Sequence, residues 1–360
     1  MSVGPRTSFI TVERVFRGML VFVPLAVLSH FVFSGPATFV LSALALIPLA
    51  KLMGDATETL ASRLGAGLGG LLNASFGNAA ELIVAFAALK NGQTAVVKAS
   101  ITGSILGNIL LVLGASVFAG GLRRKSQSFN TTAALSSAAM MYLAVAGLAV
   151  PDLFHLAQPH TPVWTLRSLS VGISVILLGL YALSLVFSLK THVHLYGSAA
   201  EEHEAGTHGS VKHAGLTLLG ATAGVVLVAE LLVHALEDAI VSFGFTHTFV
   251  GVVVIAIVGN AAEHSTAVLM ALKDKIDVAF TISFESSKQI ALFVAPMLVL
   301  SSGLLGHPLT LEFSHLEVVG MALAVGAATL ISLDGESNWL EGAMLMGVYA
   351  ILAIAFFFVP

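Results

Sequence analysis

Apolar residues run through most of this chain in long blocks, separated by short polar breaks, with little of the strict alternation expected of a half-buried strand. The blocks fall at about 18–34, 37–53, 66–89, 94–119, 129–150, 167–189, 214–235, 249–272, 276–303, 315–333 and 339–359. A helix rises about 1.5 Å per residue, so roughly 20 apolar residues cross about 30 Å of hydrocarbon. The pattern predicts an all-α integral membrane protein with about eleven transmembrane helices. Glycine and proline between blocks mark the breaks, the tightest being Ser34-Gly35-Pro36 between the first two.

Composition sharpens this reading. With 57% hydrophobic residues, 10% charged residues and a mean hydropathy of +0.95, the chain is too apolar for an ordinary soluble domain. Eleven helices with short loops leave no room for a large soluble domain. Cysteine is absent, so disulfides and thiolate metal sites are excluded. The net charge of -4 decides little about partners, and no nucleic-acid partner is expected. Arg6, Arg14 and Arg17 precede the first block, and no small-residue cleavage site follows, so the first block is expected to be a retained helix.

The basic residues suggest an orientation. With the N-terminus in the cytoplasm, Arg6, Arg14, Arg17, Lys51, Arg63, Arg123, Arg124, Lys125, Lys190, Lys212, Lys273 and Lys275 fall at cytoplasmic ends or loops. Lys90, Lys98 and Arg167 fall toward the other side, and Lys288 lies inside a block. This bias favours a cytoplasmic N-terminus, and an odd helix count places the C-terminus outside.

Two near-copies stand inside apolar blocks: Gly77-Asn78-Ala79-Ala80-Glu81 and Gly259-Asn260-Ala261-Ala262-Glu263, the second followed by His264. Glu81 is followed 22 residues later by Gly103-Ser104, and Glu263 by Glu285-Ser286 at the same interval. The equal spacing divides the chain into an extra N-terminal helix (1–35), a first five-helix repeat (36–190), a polar linker (191–213) and a second five-helix repeat (214–360). Because five is odd, the repeats enter the membrane from opposite sides and form an inverted pair. The linker carries Glu201, Glu202, His203 and Glu204 with His192, His194, His208 and His213. It reads either as a solvated connection or as a cytoplasmic ion or pH sensor; its irregular histidine spacing assigns no metal site.

A carboxylate deep in a membrane helix is costly and usually marks an ion or proton pathway. Helical spacing puts Gly77 and Asn78 on one face with Glu81, and Gly259 and Asn260 with Glu263. Glycine admits close backbone approach, and a locally opened helix would present carbonyl oxygens. Carboxylates, amide oxygens and carbonyls suit a hard cation such as calcium, and two carboxylates match a divalent charge. The competing reading is a pair of helix-packing motifs with Asn and Glu hydrogen-bonding across the bundle. His264 faces away from Glu263 and reads either as a packed histidine or as a group for proton handling or gating.

Several segments carry a family resemblance: Gly70 to Glu81, Val97-Lys98-Ala99-Ser100, Gly103 to Asn108, Gly259 to His264, and Gln289-Ile290-Ala291-Leu292-Phe293-Val294. Together they resemble the two repeats of calcium/proton antiporters, the cation exchanger branch of the calcium/cation antiporter superfamily, over nearly the whole chain. The resemblance implies that Glu81 and Glu263 alternately bind calcium or protons, with Asn78 and Asn260 beside them and Ser104 and Ser286 on the partner helices. It implies that Glu58, Glu230 and Glu237 lie nearer the cytoplasmic mouth. The chain departs from the family at Glu285-Ser286-Ser287-Lys288-Gln289, where two charges enter the segment beside the site. Glu285 and Lys288 are three apart and either form a neutral structural pair or place a positive charge near the cation.

The expected activity is secondary transport: calcium leaves the cytoplasm in exchange for protons that compete for the same two carboxylates, as the half-bundles rock. Sodium-coupled exchange, another divalent cation and a passive channel are the alternatives. No His-Glu-x-x-His or Gly-x-Ser-x-Gly motif supports a membrane hydrolase, so no enzyme activity is expected. The implied partners are calcium, protons and the lipid bilayer, with no cofactor; homo-oligomerisation is left open. The short loops favour a bacterial inner membrane.

Overall fold

A computed structural model describes residues 5–32, 35–192 and 210–359. The acidic and histidine-rich part of the linker, with His194, Glu201, Glu202, His203, Glu204 and His208, lies outside the described residues. Among the described residues the regular structure is helical apart from one ribbon of two two-residue strands. Its helices are α1 (Pro5–Met19), α2 (Phe22–Val32), α3 (Gly35–Phe76), α4 (Ala79–Lys90), α5 (Thr94–Gly121), α6 (Thr131–Ala157) and α7 (Val163–Thr191) in the first part. The second part has α8 (Val211–His234), α9 (Leu236–Phe243), α10 (His247–Leu272), α11 (276–302), α12 (His315–Ile331) and α13 (Trp339–Phe358). Eight segments among the described residues are long and apolar enough to cross a membrane. The broken pair formed by the end of α3 with α4, the interrupted α11 and the shorter α12 complete eleven crossings.

The sequence boundaries hold for most blocks and shift at three. The second block does not stop near residue 53: a span runs from Gly35 to Leu64 and carries Lys51, Asp55, Glu58 and Arg63. Lys51 and Asp55 pair one turn apart, and the Thr57 hydroxyl donates to the Met53 carbonyl, so these polar groups are satisfied along the helix. Beyond this point α3 is not straight: a Cβ on Gly69 would stand 2.0 Å from the Ala61 carbonyl oxygen, eight residues earlier, where a straight helix would hold them roughly 12 Å apart. The third block is interrupted at Gly77-Asn78, where α3 ends and α4 begins. The seventh block gains a separate short helix, α9, beyond His234.

The two halves run in opposite directions. In the first, α4 ends at Lys90 and α5 begins at Thr94; in the second, α10 ends at Leu272 and α11 begins at Ile276. The 91–93 turn meets the start of α10, because Gln93 Nε2 and His247 Nε2 both bond Glu237 Oε1, at 2.8 and 3.0 Å. The 273–275 turn meets the far end of α5, where Arg124 Nε lies 2.8 Å from Asp274 Oδ1. The two hairpin turns therefore sit at opposite ends of the bundle, here the acid end (Glu230, Glu237) and the arginine end (Arg124). At the arginine end, β1 (Gln127–Ser128) pairs antiparallel with β2 (Glu336–Ser337), joining the loops after α5 and α12.

Near the middle of the bundle, α5 and α11 each pass through a π-helical stretch, Gly107–Val112 and Ile290–Val294. The flanking side chains Leu106, Ile109, Leu110, Leu113, Ile290 and Ala291 are fully or almost fully buried. The helices carrying Ser104 and Ser286 are thus packed in the interior of the bundle.

Candidate functional site

Glu81 lies in the first turn of α4, three residues beyond Asn78 at the helix break. An interrupted helix leaves N–H and C=O groups that helical pairing would have used, a backbone state tolerated in a membrane only inside protein. In the second half, Gly259, Asn260 and Glu263 lie within an unbroken α-helical stretch, Ala256–Leu272, just after a π segment. The expected local opening is therefore present in one repeat only.

The two motifs face each other. A Cβ on Gly259 would stand 3.2 Å from Glu81 Cγ, so this glycine makes room for the opposing carboxylate. A Cβ on Gly77 would stand 3.3 Å from Gln289 Oε1, again a group from the other half. Glu81 and Glu263 are close enough to interact electrostatically.

Neutral polar groups complete the crossing. Asn78 Nδ2 donates to Gln289 Oε1 at 2.5 Å, and Asn78 Oδ1 accepts from Ser286 Oγ at 3.1 Å. Ser286 in turn accepts from Asn108 Nδ2 at 3.0 Å. The mirror contact is Asn260 Nδ2 to Ser104 Oγ, 3.2 Å, with a second bond from Nδ2 to the Ala256 carbonyl at 3.0 Å. Each asparagine thus reaches the serine of the opposite repeat.

Three buried oxygens here have no donor among the described residues: Glu81 Oε2, Glu263 Oε2 and Asn260 Oδ1. Buried acceptors are normally satisfied, so these three oxygens are groups that a cation could take as ligands. No group of three or more acidic, histidine or cysteine side chains among the described residues could hold a metal. A cation here would draw on two carboxylates and otherwise on neutral oxygens. A small cleft adjoins Glu81 and Gly259, lined also by Ser100, Ser104, Val254 and Leu232. All its lining residues lie level with Glu81 or between Glu81 and the acid end.

Other candidate residues are placed differently. Glu230 accepts from Lys90 Nζ at 2.8 Å and from Asn91 at 3.4 Å, so it belongs with Glu237 at the acid end. Bonds from His247 and then Gln93 hold the Glu237 carboxyl below the usual carboxylate range. Glu58 lies in the other half of the bundle. α3 runs antiparallel to α8, with Leu49 against Gly224 and Met53 at Thr222, so Glu58 continues toward the arginine end. The expectation that these three acids share one mouth is corrected: opposite helix directions separate Glu58 from Glu230 and Glu237.

His264 is half-buried, and its Nε2 has no partner among the described residues. Lys288 is 2% exposed, and its ammonium lies 2.6 and 2.5 Å from the two Glu285 oxygens. The Ser137 hydroxyl donates to Glu285 at 3.4 Å from α6. Lys288 is thus neutralised by its own helix. Sequence reasoning left Gln289 and Asn108 out of the site. Each was legible as a polar residue one turn beyond a site serine within an apolar block.

Residues 34–190 and 213–358 match the family described as sodium/calcium exchanger protein. The chain belongs to this family. It is 46% identical to a Ca(2+)/H(+) antiporter of Synechocystis, covering 97% of this chain and 99% of that protein. It is 40% identical to a vacuolar calcium ion transporter of Schizosaccharomyces pombe, covering 100% and 89%. The solved structure of native YfkE is similar in fold, with a TM-score of 0.84, 39% identity and coverage of 96% of this chain and 100% of that one. As a member of this family with eleven crossings, the chain is a multi-pass membrane protein.

Proposed function

We propose that this exchanger couples the movement of calcium to that of protons at a single site formed by Glu81 and Glu263. The observation that carries the reading is the meeting of two carboxylates from inverted repeats around three unsatisfied oxygens, Glu81 Oε2, Glu263 Oε2 and Asn260 Oδ1. Two carboxylates balance a divalent cation, while amide, hydroxyl and carbonyl oxygens supply neutral ligands. A proton on each carboxylate neutralises the same charge, so the two ions compete for one place. The names of relatives covering nearly the whole chain support this ion pair.

Coupling follows if the site is reached from one side at a time, with the inverted halves rocking about the crossing. The excess of basic residues at the arginine end supports a cytoplasmic location for that end. In that orientation, calcium leaves the cytoplasm as protons enter, and a bacterial plasma membrane is the natural host. The cleft beside Glu81 then leads toward the outer side.

Reconstituted vesicles test the reading. An imposed pH gradient should drive calcium movement, and the movement should vanish in Glu81→Gln and in Glu263→Gln. Calcium movement indifferent to the pH gradient would overturn proton coupling, and a response to a sodium gradient in its place would reassign the coupling ion.

A further inference from the structure

We infer that Glu285 and Lys288 are positioning residues for the cation site, forming an ionic staple behind the turn of α11 that carries Ser286 and Gln289. The inference rests on the exchange reading above.

The staple is an unusual expense at this depth. Taking two charges out of water costs several kcal/mol per ion, and a buried pair often stabilises a protein no better than apolar residues of the same size. The architecture does not require charge here, because the corresponding places in the first repeat are Gly103 and Leu106, and Leu106 is fully buried. The pair therefore calls for a role other than filling space.

Its place in the helix supplies that role. Glu285 and Lys288 alternate along one turn with Ser286 and Gln289, the two side chains that hold Asn78 beside Glu81. Directly after Gln289 the helix becomes π-helical, from Ile290 to Val294. A π segment commonly marks a functional irregularity in helical pairing. The three-residue ion pair braces the last α-helical turn before it, and Ser137 on α6 holds Glu285 from outside. Within the π segment, Phe293 stacks on Tyr181 of α7 at 5.2 Å. The Ser286 and Gln289 oxygens are thus fixed from behind, as outer groups around a metal site fix its ligands.

Three variants in proteoliposomes test this: Lys288→Met, Lys288→Arg, and the double change Glu285→Leu with Lys288→Met. Calcium KM, kcat and the melting temperature of the purified protein are read for each. Lys288→Met should raise the calcium KM by about tenfold or more, the usual effect of losing an outer-shell partner, with a smaller change in kcat. Lys288→Arg should recover much of the affinity. The apolar double variant should regain the melting temperature but not the KM. Recovery of both in the double variant would make the pair merely structural, and an unchanged KM in Lys288→Met would also overturn the inference. Failure of the unaltered protein to exchange calcium would remove the exchange reading, and this inference with it.

Discussion

The Glu81 side chain packs against Gly259, and a methyl group on that glycine would stand 3.2 Å from Glu81 Cγ. The glycine of one repeat therefore shapes the space used by the carboxylate of the other. This links the duplicated motifs more tightly than their symmetry alone requires.

Gly259→Ala should fold, since alanine is favourable inside a helix, but it should displace the Glu81 carboxylate by a few tenths of an ångström. Calcium-driven proton flux should fall by about tenfold or more, because small misplacements of a reacting or binding group are expensive. The check is initial-rate flux against melting temperature, the latter changing little.

Glu81→Gln and Glu263→Gln should each abolish coupled exchange, and the double variant should be no worse than either. One shared site demands this non-additivity, whereas two independent sites would leave roughly half the flux in each single variant. Calcium-45 uptake under an imposed pH gradient distinguishes the outcomes.

Gln289→Leu removes the acceptor of the Asn78 amide and leaves a buried N–H unsatisfied. The expected cost is about 1–3 kcal/mol in unfolding stability. A rise in calcium KM should accompany it, because Asn78 is released beside Glu81. Thermal unfolding and uptake kinetics of the same preparation test both.

Glu237 is held below its ordinary carboxylate range in the folded protein, chiefly by His247. Its contribution to stability is therefore present above the unfolded carboxylate value and lost as pH falls through the lower, folded one. The group is largely exposed, so the effect is about 0.2–1 kcal/mol. The melting-temperature gap between the unaltered protein and Glu237→Gln should close as pH falls below about 4.

The chain has no cysteine, so single introduced cysteines report sidedness cleanly. Lys125→Cys at the arginine end should react with an impermeant maleimide added to the cytoplasmic face only. His160→Cys, in the loop between α6 and α7, should react from the opposite face. Labelling of both from one side would overturn the assigned orientation.

By itself, the sequence determined the membrane class, the approximate helices, the inverted duplication and the two carboxylates. Each rests on a local or periodic signal: run length, basic-residue bias, equal spacing, or an acid in an apolar block. Only the tertiary structure decided that Asn78 is held by Ser286 and Gln289 of the other repeat, and that Asn260 reaches Ser104. It also separated Glu58 from Glu230 and Glu237, and turned Lys288 onto Glu285. The asparagine contacts join residues far apart in the chain, and helix direction and packing set which of them meet; the Glu285–Lys288 pair is local, one of the two outcomes its spacing allowed. The helix break at Gly77-Asn78, absent at the identical Gly259-Asn260, makes the same point: one motif takes two backbone forms because its surroundings differ.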